Sequence, residues 1–300
     1  MTYPLNVMTP IDADSPSRVR SARQTPAAGS SHSTAPDKAA RMLGAAAKSW
    51  FVVAVLGQLV FVVYMIGFYG RAAARGDFQA WNKVLPHGYV PGDIAGNIVV
   101  SVHLAFAAFI TLGGALQLVS GTRRLFPTLH RWSGRAYLTT AFVMSLSGLI
   151  MVWTHGTVGD LSQHIAISIN AVIIMVCSGM VLYHALARCF DRHRQWALRL
   201  FLVVSGVWFF RISLMLWIVA NQGPVGFDPK TFSGPFLTFL SFADYLLPLA
   251  LLELYFRAQR STQPTARFAM AASLAVLTLA TAAGVGLTLG CRSTGFPPRG

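Results

Sequence analysis

The sequence predicts an all-α, polytopic transmembrane helical bundle of about seven spans, with a four-helix core made by spans two to five. Three observations point there. First, 54% of the 300 residues are hydrophobic and only 11% are charged, against about 25% charged in a soluble domain. Second, the apolar residues come in runs of about twenty, the length that crosses a hydrocarbon core of about 30 Å. Third, Lys and Arg gather at the ends of those runs. In lipid every backbone N–H and C=O must be paired within the protein, which leaves such runs helical.

Residues 1–48 open the chain as an expected disordered cytoplasmic tail, rich in Ser, Thr, Pro and Ala and without apolar periodicity. No basic stretch leads into an apolar one there, so the first span reads as an uncleaved signal anchor. The bundle occupies 49–290 and a short tail 291–300. Its spans are expected at Trp50–Tyr69, Asn97–Val119, Trp132–Trp153, His164–Leu186, Trp196–Ala220, Phe236–Phe256 and Phe268–Leu289. Trp50, Trp132, Trp153 and Trp196 mark span ends, as interfacial aromatics do. Arg123, Arg124, Arg131, Arg135, Arg188, Arg192, Arg194, Arg199, Arg257 and Arg260 share one side with the N-terminus. By the positive-inside rule the N-terminus is cytoplasmic and the C-terminus outside, in a bacterial inner membrane. The last span is Ala-rich and so less hydrophobic. The loops 70–96 and 221–235 read as solvated turns in preference to covers over a site that opens outward.

A net charge of +14 in a soluble protein would suggest nucleic acid. Here the basic groups cluster at span ends and face headgroups, so the expected partner is the lipid bilayer and not nucleic acid. The three cysteines, Cys177, Cys189 and Cys291, form no CxxC and no disulfide framework. There is no P-loop, HExxH, dinucleotide fingerprint or nucleophile elbow, and no residue stands out as catalytic.

Polar residues within spans need a reason, because hydrocarbon penalises them. The histidines fall into two layers. His103 and His164 lie toward the outer face, with His155 in a loop nearby and His87 in another. His130, His184 and His193 lie at the inner face. Two layers of facing imidazoles suit two b-type haems. Outer ligation would fall to His103 and His164, inner ligation to His130 with His193 or His184. Gly113, Gly114, Gly134 and Gly148 leave room for a macrocycle or for close helix packing. Arg131, Arg135, Arg194 and Arg199 can hold propionates, a quinone headgroup or lipid phosphate, and they equally serve as topology signals. Arg211 in span five is expensive at that depth, and Asp244 in span six is its expected partner. Glu253 is positioned to face Arg199 in the same way, and Asn170 to join the outer polar group.

The segments LHRWSGRAYL (129–138) and HRQWALRLFLVVSGVWFFRISLMLW (193–217) resemble the bacterial membrane family catalogued as domain of unknown function 2306. The shared pattern uses His103, His130, Arg131, Gly134, Arg135, Tyr137, His193, Arg194, Trp196, Arg199 and Arg211, within about residues 50–257. The resemblance implies a polytopic inner-membrane protein and no established activity. More distantly the chain is similar to the four-helix dihaem cytochrome b superfamily, which implies His103 with His164 and His130 with His193 as ligand pairs. Three readings follow: haem-based electron transfer across the bilayer, a non-redox transporter or small-molecule binder built on Arg211 and Asp244, and an accessory subunit. Substrate, redox partner and oligomeric state stay open.

Overall fold

The computed structural model describes residues 38–84, 88–154 and 159–293. Residues 1–37 of the expected tail, 294–300, and the loop histidines His87 and His155 lie outside the described residues. Eight main helices follow one another: α1 (Lys38–Met65), α2 (Ile94–Leu118), α3 (Pro127–Thr154), α4 (Leu161–Leu186), α5 (Phe190–Val204), α6 (Gly206–Ala220), α7 (Pro235–Arg260) and α8 (Pro264–Ser293). A π-helical turn, Ile66–Gly70, and a last turn, Arg71–Ala74, prolong α1. No strand occurs among the described residues.

Local sequence sets the helix starts. Asp93 accepts from Gly96 N at 2.9 Å and Asp160 from Gln163 N at 3.1 Å, each supplying an acceptor to the donors a first turn leaves free. Pro235 opens α7, where a missing N–H costs nothing. Six helices are long and apolar enough to cross a membrane, and the α5–α6 pair adds a seventh if it crosses as one. The Ala-rich last helix is among the six. Large apolar side chains such as Val63, Ile94, Val276 and Leu279 lie exposed on the outside, where acyl chains, not water, are their solvent.

Helices α2, α3, α4 and α5 close into a ring: α2 packs on α3, α3 on α4, α4 on α5, and α5 on α2. This is the expected four-helix core. Tyr137, Cys177, Val181, Leu200 and Val203 fill it, joined by Tyr245 from α7. Helix α1 lies along α8 and α2, and α6 against α7 and α8.

Three expectations need correcting. Residues 38–48 are helix, not tail. Ala39 and Leu43 are buried there, and Leu43 packs against Ala258, Met270, Ala271 and Leu274. The fifth span is not one straight helix: α5 and α6 meet at a 50° bend. The two long loops are not merely solvated turns. Trp81 is buried and its Nε1 donates to Tyr69 O, 3.2 Å away in the π turn. Trp217 stacks on Phe236 with centroids 4.2 Å apart and donates to Val225 O at 2.8 Å. Gln163 Nε2 reaches across to Phe232 O at 2.9 Å. Amphipathic aromatics thus close the end of the bundle opposite the Arg-rich end.

Candidate functional site

The bend lies at Ser205, between the two half-helices, about 22 Å along the chain axis from either end of the pair. A Ser-Gly pair is a recognised place for a helix to break. The Ser205 hydroxyl donates to Phe201 O at 2.7 Å, which competes with the regular ladder. Two other helices supply polar side chains to the gap. From α1, Gln58 Nε2 donates to Ser205 Oγ at 2.8 Å. From α4, Asn170 Nδ2 donates to Val203 O at 3.3 Å, capping the end of the first half-helix.

Asp244 of α7 completes the group. A Cβ added at Gly206 would lie 3.3 Å from Asn170 Nδ2 and 3.7 Å from Asp244 Oδ2, so the missing side chain lets both reach the backbone. Pro248 sits one turn beyond Asp244 within α7. Proline has no N–H, so the Asp244 carbonyl loses its helical donor. One span is therefore broken beside this cluster, and α7, continuous through Pro248, lacks one backbone hydrogen bond there. Gln58 Oε1, Asn170 Oδ1 and Asp244 Oδ1 are all buried there without a hydrogen-bond partner. Each such atom costs about 1–3 kcal/mol, more for a charged group.

The expected Arg211–Asp244 pair does not form. The Arg211 guanidinium lies over the Phe61 ring, 5.4 Å from its centroid, on the exposed side of α6. An aromatic face stabilises a desolvated cation by up to about 2 kcal/mol. The ion pair between α5 and α7 is Arg199–Glu253 instead, at 2.6 Å, with Nε also donating to the same oxygen at 2.7 Å. Trp196 and Phe256 flank the Arg199 guanidinium at 4.8 and 5.3 Å. Reversing Arg199 or Glu253 alone should lower the detergent unfolding midpoint, and exchanging both should recover about 1–2 kcal/mol of coupling in a double-mutant cycle.

The remaining candidates are scattered. His103 lies about 13 Å along α2 from its start and His164 only about 4 Å along α4. The two helices occupy opposite corners of the ring, and the His164 ring meets Trp153 edge-on at 6.4 Å. At the Arg-rich end, His193 Nδ1 is 3.0 Å from Val181 O. The Gln117 amide, oriented by its hydrogen-bond network, donates to His130 Nδ1 at 3.1 Å and accepts from Ser133 Oγ at 2.6 Å. His184 is buried, and neither ring nitrogen has a partner. Arg131, Arg135 and Arg194 are exposed, with Arg135 over Trp132 at 5.0 Å.

The glycine faces test whether a haem fits. A Cβ at Gly113 would come 3.2 Å from Tyr137 Cδ2, and one at Gly114 would come 3.1 Å from both Phe201 Cδ2 and Tyr137 Oη. Those two rings take the space beside the glycine pair. The packing there suits helix contact and not a flat macrocycle.

Sequence reasoning named Asp244 and Asn170 but missed Gln58, Ser205, Gly206 and Pro248. Their signals were present: a lone amide in span one, Ser-Gly inside an apolar stretch, and Pro four residues after an intramembrane acid. No curated protein and no solved structure matches this chain, a dihaem cytochrome b included. Residues 100–244, a narrower stretch than the resemblance suggested and one that ends on Asp244, match the family model described as "Predicted membrane protein (DUF2306)".

Proposed function

We propose that this protein is a carrier of the cytoplasmic membrane, N-terminus inside, that moves a proton across the bilayer by way of Asp244. One observation carries the reading: three buried oxygens without donors gather where one span is broken and the helix beside it lacks a backbone hydrogen bond. Hydrocarbon penalises a bare carboxylate heavily, so its charge has to be met by a proton or a cation. Interrupted helices near mid-membrane are also where carriers place coupling ions, because freed carbonyls point into the site. The alternative use of Asp244, as a structural mate of Arg211, has lost its support with that pair.

Vesicles reconstituted with the full chain and loaded with a pH-sensitive dye test this. An imposed pH difference is expected to collapse faster than in empty vesicles. Asp244→Asn, nearly the same shape but unable to ionise, is expected to return the rate to that of empty vesicles. A rate equal to the parent's in Asp244→Asn overturns the reading.

A further inference from the structure

Asp244 lies far from both faces, so a proton must reach it through the protein. Buried polar atoms without partners mark out a column on one side of it. His184 Nδ1 and Nε2, Ser178 Oγ, Tyr137 Oη and Tyr245 Oη are all in this state, as is Asp244 Oδ1. Their depths form a ladder. Counted from the Arg-rich ends of their helices, His184 lies about 3 Å in, Ser178 about 12 Å, Tyr137 about 15 Å, Tyr245 about 22 Å and Asp244 about 24 Å. Tyr137 and Tyr245 belong to one packed cluster with Cys177 and Val181, and on α4 the buried Ser178 and His184 lie three residues to either side of Val181.

The other side of Asp244 is different. There Gln163 and Trp217 donate to backbone carbonyls of the loop 221–235, and Trp81, in the other loop, donates to Tyr69 O of the π turn. The ion pair beside the column, Arg199–Glu253, is closed on itself. Unpaired buried hydroxyls and imidazoles are normally satisfied by internal water, which makes about three hydrogen bonds per molecule. Axial steps of up to about 9 Å are within reach of short hydrogen-bonded water chains.

We propose that a column of buried water runs from the Arg-rich face past His184, Ser178, Tyr137 and Tyr245 to Asp244, and that it is the route by which a proton passes between that carboxyl and the Arg-rich face. The hydration stands on the unpaired atoms alone, whereas its use as a proton route rests on the carrier reading. His184 is the mouth of the column: imidazole can accept a proton on one nitrogen and release one from the other. Capped loops at the opposite face make this a half-channel, open toward one side only.

X-ray radiolytic hydroxyl footprinting of the unmodified full chain in nanodiscs reads buried water directly. Tyr137 and Tyr245, 5% and 1% exposed, are expected to be oxidised. Trp208, 4% exposed on the far half-helix and intrinsically more reactive, is expected to stay silent. Tyrosines as silent as Trp208 overturn the column. In the vesicle assay, His184→Phe is expected to slow the collapse of the pH difference to the Asp244→Asn level, and a parent-like rate overturns the route. Oxidised tyrosines without any Asp244-dependent flux would keep the water column and remove the carrier reading. Asp244-dependent flux with silent tyrosines would do the reverse.

Discussion

Gly234→Val should be among the most damaging single substitutions in this protein. Gly234 has φ +139° and ψ +166°, a region open essentially to glycine alone and worth about 1–3 kcal/mol of strain to any other residue. Space compounds the conformational cost. A Cβ there would stand 2.8 Å from Gly226 O and 2.8 Å from Phe227 Cα. Both neighbours are backbone and cannot rotate away. The loop from 221 to 235 must open, which pulls Phe232 O from Gln163 and Val225 O from Trp217. Strain and lost packing together should cost about 3 kcal/mol or more. Thermal unfolding in detergent, followed by circular dichroism, measures it. Gly223→Ala in the same loop meets nothing within 4 Å and should move the midpoint little. Equal midpoints for Gly234→Val and the parent would sink the argument.

The second large effect is a reversal of sign along one helix. In α1, Gly44 has open space where a Cβ would go. Gly44→Ala should stabilise by up to about 1 kcal/mol, the helix-propensity gain. Gly57 looks equivalent in sequence but meets Val285 Cγ2 at 2.6 Å and Trp208 Cζ2 at 2.7 Å. Trp208 is buried and its ring is held against Phe209, so it has little freedom to yield. Gly57→Ala should therefore destabilise by about 1–3 kcal/mol. It should also reach the site, because moving α1 away from α6 stretches the adjacent Gln58–Ser205 hydrogen bond of 2.8 Å. The expected readout is a lower unfolding midpoint together with slower proton flux. Gly44→Ala should raise the midpoint and leave the flux alone.

What the sequence made legible follows from the hydrocarbon constraint. Long apolar runs leave few alternatives to helix, so the spans and the four-helix ring were readable from residue order. The break at Ser205 was hidden because its flanks, Phe201–Val204 and Val207–Phe210, are as apolar as any unbroken span. Only the polar side chains of α1 and α4 make the bend visible, and both are remote in sequence. Arg199–Glu253 was legible because both lie near helix ends of matching depth. Arg211 misled because charge arithmetic looks for an acid, whereas the fold offered the Phe61 ring on a neighbouring helix. Helicity from Lys38 to Lys48 was hidden because Ala-rich turns carry little apolar signal until α8 lies alongside. The histidines were easy to find in the sequence, but their depths along separate helices were not, and His103 and His164 fall on different levels.

Pro248 has a mechanical effect beyond freeing one carbonyl. A helix lacking a rung bends more readily there than anywhere else along its length, and that weak point lies one turn from Asp244, beside the gap between α5 and α6. Two neighbouring rods thus share a joint near one level, so the segments nearer the capping loops can tilt while the Arg-rich segments stay planted.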